Sequence, residues 1–252
     1  MLFADIGNTN IKIARFNNSE EWEIVQRFKA DEFLFSKLQA FDDEDLIILS
    51  SVHPLLKNRE EDLENCLMLT TDHFPPDFIN YDTPETLGVD RVLAGFGAFA
   101  LTGEPTLVID AGSAITVDHI IHEGKFYGGL IAPGYRALTE GMKKVTPSLP
   151  ETHTFFSDPP NESERFFPAK SSRESVNTGM EWAFESLVTG LVGRARTRLA
   201  LNGIEQPRLV VTGGDADRIL PLFPDALYDP MLIFEGMKYW FEKYRTNWDF
   251  PF

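Results

Sequence analysis

One strand-turn-strand pattern occurs twice in this chain, and the repetition limits the folds open to it more than any other feature. LFADIGNTNIKIARF, from Leu2, and LVIDAGSAITVDHI, from Leu107, each begin as a short apolar strand. Each strand delivers an aspartate (Asp5, Asp110), a glycine two residues on (Gly7, Gly112) and a small hydroxyl residue (Thr9, Ser113). A second alternating run follows, IKIARF or ITVDHI. Alternation of period two on either side of a polar glycine turn spells a β-hairpin. Asp5 and Asp110 stand 105 residues apart, which suits a duplicated domain whose halves open with the same hairpin. The expected halves are residues 1–104 and 105–252.

Between and after the hairpins, strands alternate with helices, the signature of an α/β protein. DLIILSSVHP reads as a buried strand stopped by Pro54. A helical pattern runs from about Pro84 to Leu101, with Thr83 and Pro84 suited to an N-cap and first turn. Leu87, Val92, Leu93, Phe96, Phe99 and Ala100 fall on one stripe of it, so GVDR, residues 88–91, sits near a helix start. Residues 155–172, FFSDPPNESERFFPAKSS, read as a long surface loop. A helix is expected from about Val176 to Leu201, a strand over Leu209–Thr212 and a closing helix from Pro230 to Tyr244.

A strand-end aspartate followed by glycine and small polar residues, as in DIGNTN, can hold Mg²⁺ while its backbone N–H groups face phosphate oxygens. The same residues also make an ordinary hairpin turn. Two copies, which a duplicated fold would bring face to face across a cleft, weigh more than either alone. GVDR offers Asp90 as a proton acceptor and Arg91 as a partner for an anionic substrate, or else a first-turn acid stabilised by the helix dipole beside a solvated arginine. GGLIAPG, residues 128–134, suggests either a close backbone approach or a plain loop before a helix at Tyr135. TGGDAD, from Thr212, could lie against a base or ribose, although a simple Gly-Gly turn accounts for it.

Several chemistries are disfavoured. The formal net charge is -16 with a pI near 4.7, whereas a nucleic-acid surface needs clustered Lys and Arg. No nucleic-acid partner is expected, though ATP can still bind where N–H groups, a few basic side chains and a metal reverse the local field. Cys66 has no second cysteine for a disulfide and no partner at metal-ligand spacing. No G-x-x-x-x-G-K-[ST] occurs, and GFGAFA at Gly95 lies inside a helical pattern. His119 and His122 lack a third ligand nearby and read as structural. Without a signal-like N-terminus or an apolar stretch of membrane length, a cytoplasmic protein with no membrane partner is expected; Asn17 and Asn161 are then chance sequons.

Taken together, DIGNTN at Asp5, YDTPETLGVDR at Tyr81, DAGSAIT at Asp110, GGLIAPG at Gly128 and SRESVNTG at Ser172 resemble type III pantothenate kinase, of the acetate and sugar kinase, heat-shock chaperone and actin superfamily. The motifs appear in the family's order from residue 1 to about residue 180. The resemblance implies two duplicated actin-like (ribonuclease H-like) domains with a cleft between them. It also implies an ATP-phosphate loop formed by Asp5, Ile6, Gly7 and Asn8 together with Thr9, Asn10, Ile11 and Lys12, with Asp5 the carboxylate of the Mg²⁺ site. Asp90 is similar to the family's general base, while Tyr81, Gly88, Val89, Asp90 and Arg91 resemble its pantothenate contacts. Asp110 resembles the ligand of a monovalent cation, K⁺ or NH4⁺, Ser113 an ATP contact and Ser172 a substrate contact. A homodimer is implied as well. Ser113 and Ser172 stand where the family usually has threonine; both keep the hydroxyl and lose a methyl contact. Beyond about residue 200 the resemblance is loose.

The expected function is therefore transfer of the γ-phosphoryl of ATP to pantothenate, the first step of coenzyme A biosynthesis. The alternatives are a kinase of the same superfamily acting on another small hydroxylated metabolite, or an ATP-binding accessory or regulatory homologue without catalysis.

Overall fold

A computed structural model describes residues 1–30, 46–52, 65–151, 167–204 and 206–245. Pro54, the expected end of the first buried strand, and residues 155–166 of the expected surface loop lie outside the described residues. The chain divides into two compact units. One comprises Met1–Val108, Asp118–Gly128 and the chain from Met231; the other comprises Ile109–Val117 and Gly129–Pro230.

The first unit is built on a five-stranded sheet of order β3-β2-β1-β4-β5. The expected hairpin forms from β1 (Leu2–Ile6) and β2 (Asn10–Phe16), antiparallel and with Asp5 opposite Lys12. β3 (Trp22–Lys29) extends it as a largely exposed edge strand. β4 (Ile47–Ser51) runs parallel to β1, and β5 (Cys66–Leu69) runs parallel to β4. Leu2, Ala4 and Ile6 alternate with Phe3 and Asp5 along β1, and the first three join Ile11, Ile13, Ile47 and Leu49 in one core cluster. Each such aliphatic side chain taken wholly out of water contributes about 1.5–3 kcal/mol.

Helix α1 spans Val89–Thr102. The single helical pattern expected from Pro84 is broken in two. Pro84–Thr86 closes a separate 3-10 turn, fastened by the Thr83 and Thr86 hydroxyls at 2.8 Å. Leu87 is then extended, which buries its side chain, and Gly88 caps α1 with extended backbone. The buried surface of α1 is wider than one stripe. Val89, Ala94 and Ala98 join Val92, Leu93 and Phe96, while Ala100 is exposed.

A second helix of this unit, from Leu232 to Tyr244, crosses α1 at glycines. A Cβ on Gly97 would strike Leu232 O, and one on Gly236 would strike Leu93 O. Gly97 thus serves the helix crossing and Gly95 makes room for Ile120, which explains why GFGAFA only mimics a nucleotide loop. Trp22 ties the same helix to the sheet, donating Nε1–H to Glu235 Oε1 at 2.6 Å.

The second sheet has the order β10-β9-β6-β7-β8. Its strands are β6 (Thr106–Ala111), β7 (Ala114–Ile120), β8 (Phe126–Pro133), β9 (Arg208–Thr212) and β10 (Leu227–Tyr228). The repeat is thereby realised as β6 and β7, adjacent and joined through Gly112 and Ser113. GGLIAPG is not a loop for most of its length: residues 128–133 belong to β8, where pairing with β7 satisfies the backbone that its glycines leave unprotected. Helix α2 (Tyr135–Val145) begins where expected.

Helix α3 (Ser172–Leu201) starts four residues before the apolar periodicity, because Ser171 accepts the Glu174 N–H at 3.2 Å and Glu174 Oε2 accepts the Lys170 N–H at 3.2 Å. The short helix α4 (Ala216–Ile219) follows β9, and the helix Leu232–Tyr244 is α5. Among the described residues no helix is long and apolar enough to cross a membrane.

Candidate active site

In the first unit, β1 carries Asp5 to the mouth of its hairpin. The turn is tight: Gly7 N–H donates to Asn10 O at 3.1 Å, and a Cβ on Gly7 would meet that same oxygen at 3.1 Å. Ile6 and Ile11 are wholly buried, so these two reach the turn only through their backbone, while Asn8 and Asn10 are exposed. Ser50 on β4 donates its hydroxyl to Asp5 Oδ1 at 3.3 Å. Asp5 keeps part of its surface exposed, yet the surrounding protein pushes its carboxyl up to about 6. Burial is the main cause; Lys12 opposes it, the charge of Asp90 adds to it, and the Ser50 hydroxyl opposes it weakly. Asp5 and Asp90 therefore lie within electrostatic reach of each other.

Asp90 occupies the first turn of α1. Its Oδ1 accepts the Arg91 N–H at 2.8 Å and fills the space where a Cβ on Gly88 would stand. A side chain at position 88 would displace that carboxylate. Burial raises the pKa of Asp90 despite the Arg91 N–H and the guanidinium charge, which act the other way, leaving a carboxylate more basic than an exposed one.

Arg91 is buried. It is neither solvated nor turned outward: Nε donates to both oxygens of Asp118 at 3.1 and 3.2 Å, and Nη2 donates to Oδ1. Its guanidinium lies 5.4 Å from the Phe126 ring centroid and 6.0 Å from that of Tyr81. Asp118 is the residue that sequence reasoning passed over. The available signal was an acid inside the alternating run ITVDHI, which demands a buried partner.

In the second unit, the matching turn is walled by glycines from two other segments. Gly112 N–H donates to Ala114 O at 3.1 Å, the counterpart of the Gly7 bond. Gly134, which caps α2, has no room for a Cβ beside Gly112 O and Ser113 O. Gly213, at φ 98°, has none beside Ala111 O and Asp110 Oδ1. The TGGDAD turn thus backs the Asp110 loop, and Asp215 N–H donates to Ala111 O at 2.8 Å.

Behind that turn Arg218 donates to Glu181 Oε1 at 2.9 Å and lies 4.0 Å over the Tyr135 ring. Burial, with a smaller contribution from Glu181, raises the pKa of Asp215 against the pull of Arg218. Ser113 is exposed beside Gly112, and Ser172 is exposed at the first position of α3.

The fold thus brings Asp5, the Gly7–Thr9 turn, Lys12, Tyr81 and Gly88–Arg91 into the first unit, and Asp110, Ser113 and Ser172 into the second. Among the described residues no group of three or more His, Cys, Asp or Glu could hold a metal ion, and His119, whose Nε2 is buried without a partner among them, belongs to no ligand set. A lone carboxylate such as Asp5 instead fits Mg²⁺, which keeps waters and takes most of its remaining ligands from substrate phosphates. At Asp110, the space left by Gly213 beside the carboxylate is a cradle that a Cβ would fill.

Solved structures share this architecture. A conserved Campylobacter jejuni protein named for the Baf family of transcriptional activators is 24% identical, with a TM-score of 0.62, covering 98% of this chain and 100% of that one. The activator of the 2-hydroxyisocaproyl-CoA dehydratase from Clostridium difficile, solved with bound ADPNP, is 14% identical, with a TM-score of 0.50 over 98% of this chain and 97% of that one. These likenesses establish the fold alone, an α/β architecture built on two five-stranded sheets.

Sequence relatives are more specific. The type III pantothenate kinase of Syntrophobacter fumaroxidans is 29% identical over 98% of this chain and 99% of its own length. The family model described as type III pantothenate kinase matches residues 1–194, a span that contains both hairpins, the start of α1, β8 and the start of α3. With that much of the chain matched, and with the paired aspartate turns inside the match, the protein belongs to the type III pantothenate kinase family.

Proposed function

We propose that the protein transfers the γ-phosphoryl group of ATP to the primary hydroxyl of pantothenate, giving 4'-phosphopantothenate and ADP at the entry to coenzyme A biosynthesis. The observation that supports this reading is the closeness of Asp5 to Asp90 in the first unit, near enough that the charge of Asp90 helps to raise the pKa of Asp5, within a chain of this family. The reading gives the strand-end carboxylate of Asp5 the metal-bound triphosphate and the buried carboxylate of Asp90 the hydroxyl proton.

In this reading the hairpin from Asp5 to Lys12 receives the ATP phosphates, with its turn N–H groups and Lys12 supplying positive potential. Asp90 accepts the proton of the pantothenate hydroxyl as its oxygen bonds to phosphorus, and ADP leaves. Tyr81, Gly88, Val89 and Arg91 hold the substrate so that the hydroxyl meets phosphorus in line, the alignment on which phosphoryl transfer chiefly depends. Ser113 contacts ATP and Ser172 the substrate. Mg²⁺ at Asp5 and a K⁺ or NH4⁺ ion at Asp110 would neutralise charge on the phosphates. In the same reading the chain is a duplicated pair of domains, residues 1–104 and 105–252, each opening on an aspartate hairpin. A cytoplasmic homodimer without membrane or nucleic-acid partners completes the proposal.

The test is an ADP-release assay run across pantothenate, sugars and small hydroxy acids, with mass spectrometry of the product. Phosphorylated pantothenate is expected. Turnover of another acceptor alone would transfer the reaction to that metabolite. Nucleotide binding with no turnover would make the protein an accessory ATP-binding homologue.

A further inference from the structure

Asp118 is a buried charge for which the proposed chemistry has no use. It is 1% exposed and Arg91 7%, and the two make a forked pair in which Nε spans both carboxylate oxygens while Nη2 adds a further bond to Oδ1. Stability is a poor reason for such a pair, because desolvating two charges costs about what their attraction returns, and apolar residues of the same volume often serve as well. Geometry is a better one. A fork-to-fork contact fixes the plane and direction of a guanidinium, which a single hydrogen bond does not.

The surroundings reinforce that constraint. The guanidinium is bounded by the rings of Phe126 and Tyr81, which themselves meet edge-on with centroids 6.1 Å apart. Asp118 occupies Nε and one terminal nitrogen, and the Tyr81 hydroxyl is hydrogen-bonded to the same guanidinium, so Arg91 and Tyr81 form one edge that keeps further N–H donors for a ligand. Because Asp118 cancels the charge of Arg91, those donors can recognise an anion by direction more than by surplus charge.

We propose that Asp118 is a positioning residue: it holds Arg91 in one orientation so that the arginine, with Tyr81, presents a fixed hydrogen-bonding edge to the carboxylate end of the substrate. This rests on the pantothenate reading given above. The consequence is selectivity for a substrate with a carboxylate at that end over one with an alcohol there.

Asp118→Asn and Asp118→Glu, compared with the wild type on pantothenate and on pantothenol, test it. Asparagine keeps the shape and removes the charge; glutamate keeps the charge and shifts it by one methylene. In either variant the KM for pantothenate is expected to rise about tenfold, the size of one lost charge-assisted hydrogen bond. With kcat and the KM for ATP changed less than about threefold, the loss is one of substrate binding. The preference for pantothenate over pantothenol should narrow by about the same factor.

Should Asp118→Asn fail to fold around an unpaired Arg91, the glutamate variant carries the same test. A folded variant with an unchanged KM and unchanged preference overturns the positioning role while leaving the kinase reading intact. So does a lowered melting temperature with both quantities unmoved, which would make the pair purely structural. Wild-type protein that neither binds nor phosphorylates pantothenate overturns both readings.

Discussion

Gly213 stands against Asp110 so closely that a Cβ added to the glycine would lie 2.5 Å from Asp110 Oδ1. The glycine also sits at φ 98°, where L side chains are strained. Gly203 has a similar dihedral, φ 74°, but open space around it. Both Gly203→Ala and Gly213→Ala should lose about 1–3 kcal/mol to backbone strain. Gly213→Ala alone should also displace the Asp110 carboxylate. Melting temperatures of the two variants, together with their response to added K⁺, separate the effects: only Gly213→Ala is expected to lose cation stimulation.

Asp90→Asn removes the proposed proton acceptor while keeping its size and its bond from the Arg91 N–H. The rate should fall by about two to four orders of magnitude with ATP affinity nearly unchanged. Steady-state kinetics beside nucleotide titration checks this, and an unaltered rate would remove Asp90 from the mechanism.

Asp5 ties stability and ligand binding to pH. Its folded pKa of about 6 lies above the ordinary 3.8, so between those values the folded state binds more protons than the unfolded one. Stability attributable to this group is then present below about pH 4 and lost as pH rises through 6. Asp5→Asn should be more stable than the wild type above pH 6, by at most about 2 kcal/mol once the exposed part of the carboxyl is allowed for. The advantage should vanish near pH 4, as read by chemical denaturation across that range. With Asp5 in its proposed role, MgATP binding needs the ionised carboxylate, so wild-type affinity should weaken about tenfold per pH unit below 6. Calorimetry at pH 5, 6 and 7 would show it.

Gly236→Ala places a methyl group against the Leu93 carbonyl where α5 crosses α1. Forcing the two helices apart should cost about 1–3 kcal/mol, seen as a lower melting temperature. At a temperature where the variant remains folded, nucleotide affinity should be unaffected, since the β1-β2 turn lies elsewhere in the unit.

Both aspartate hairpins and the start of α2 at Tyr135 were legible from sequence, because each is specified within a few residues. Alternating apolar positions select a strand, a polar glycine turn reverses it, and an extended glycine opens a helix. The family could be named on the same short motifs, since they retain their order along the chain. Where local signals conflicted, reading failed. Pro84 looked like a first turn of α1, but burying Leu87 required an extended residue between the 3-10 turn and the helix. Gly128 and Gly129 left open a close backbone approach or a plain loop, but pairing with β7 made them strand.

What sequence could not supply are relations between residues far apart in the chain that have no local signature. Arg91 finds Asp118, Gly213 closes over Asp110, and α5 returns to pack its glycine on α1. Each depends on burial, which exists only once distant segments have met. The sequence by itself determined which turns carry carboxylates and which segments form strands and helices, because backbone preference and periodicity act locally. Only the tertiary structure decided which of those carboxylates became buried, paired or raised in pKa, because desolvation and charge pairing arise from the segments packed around them.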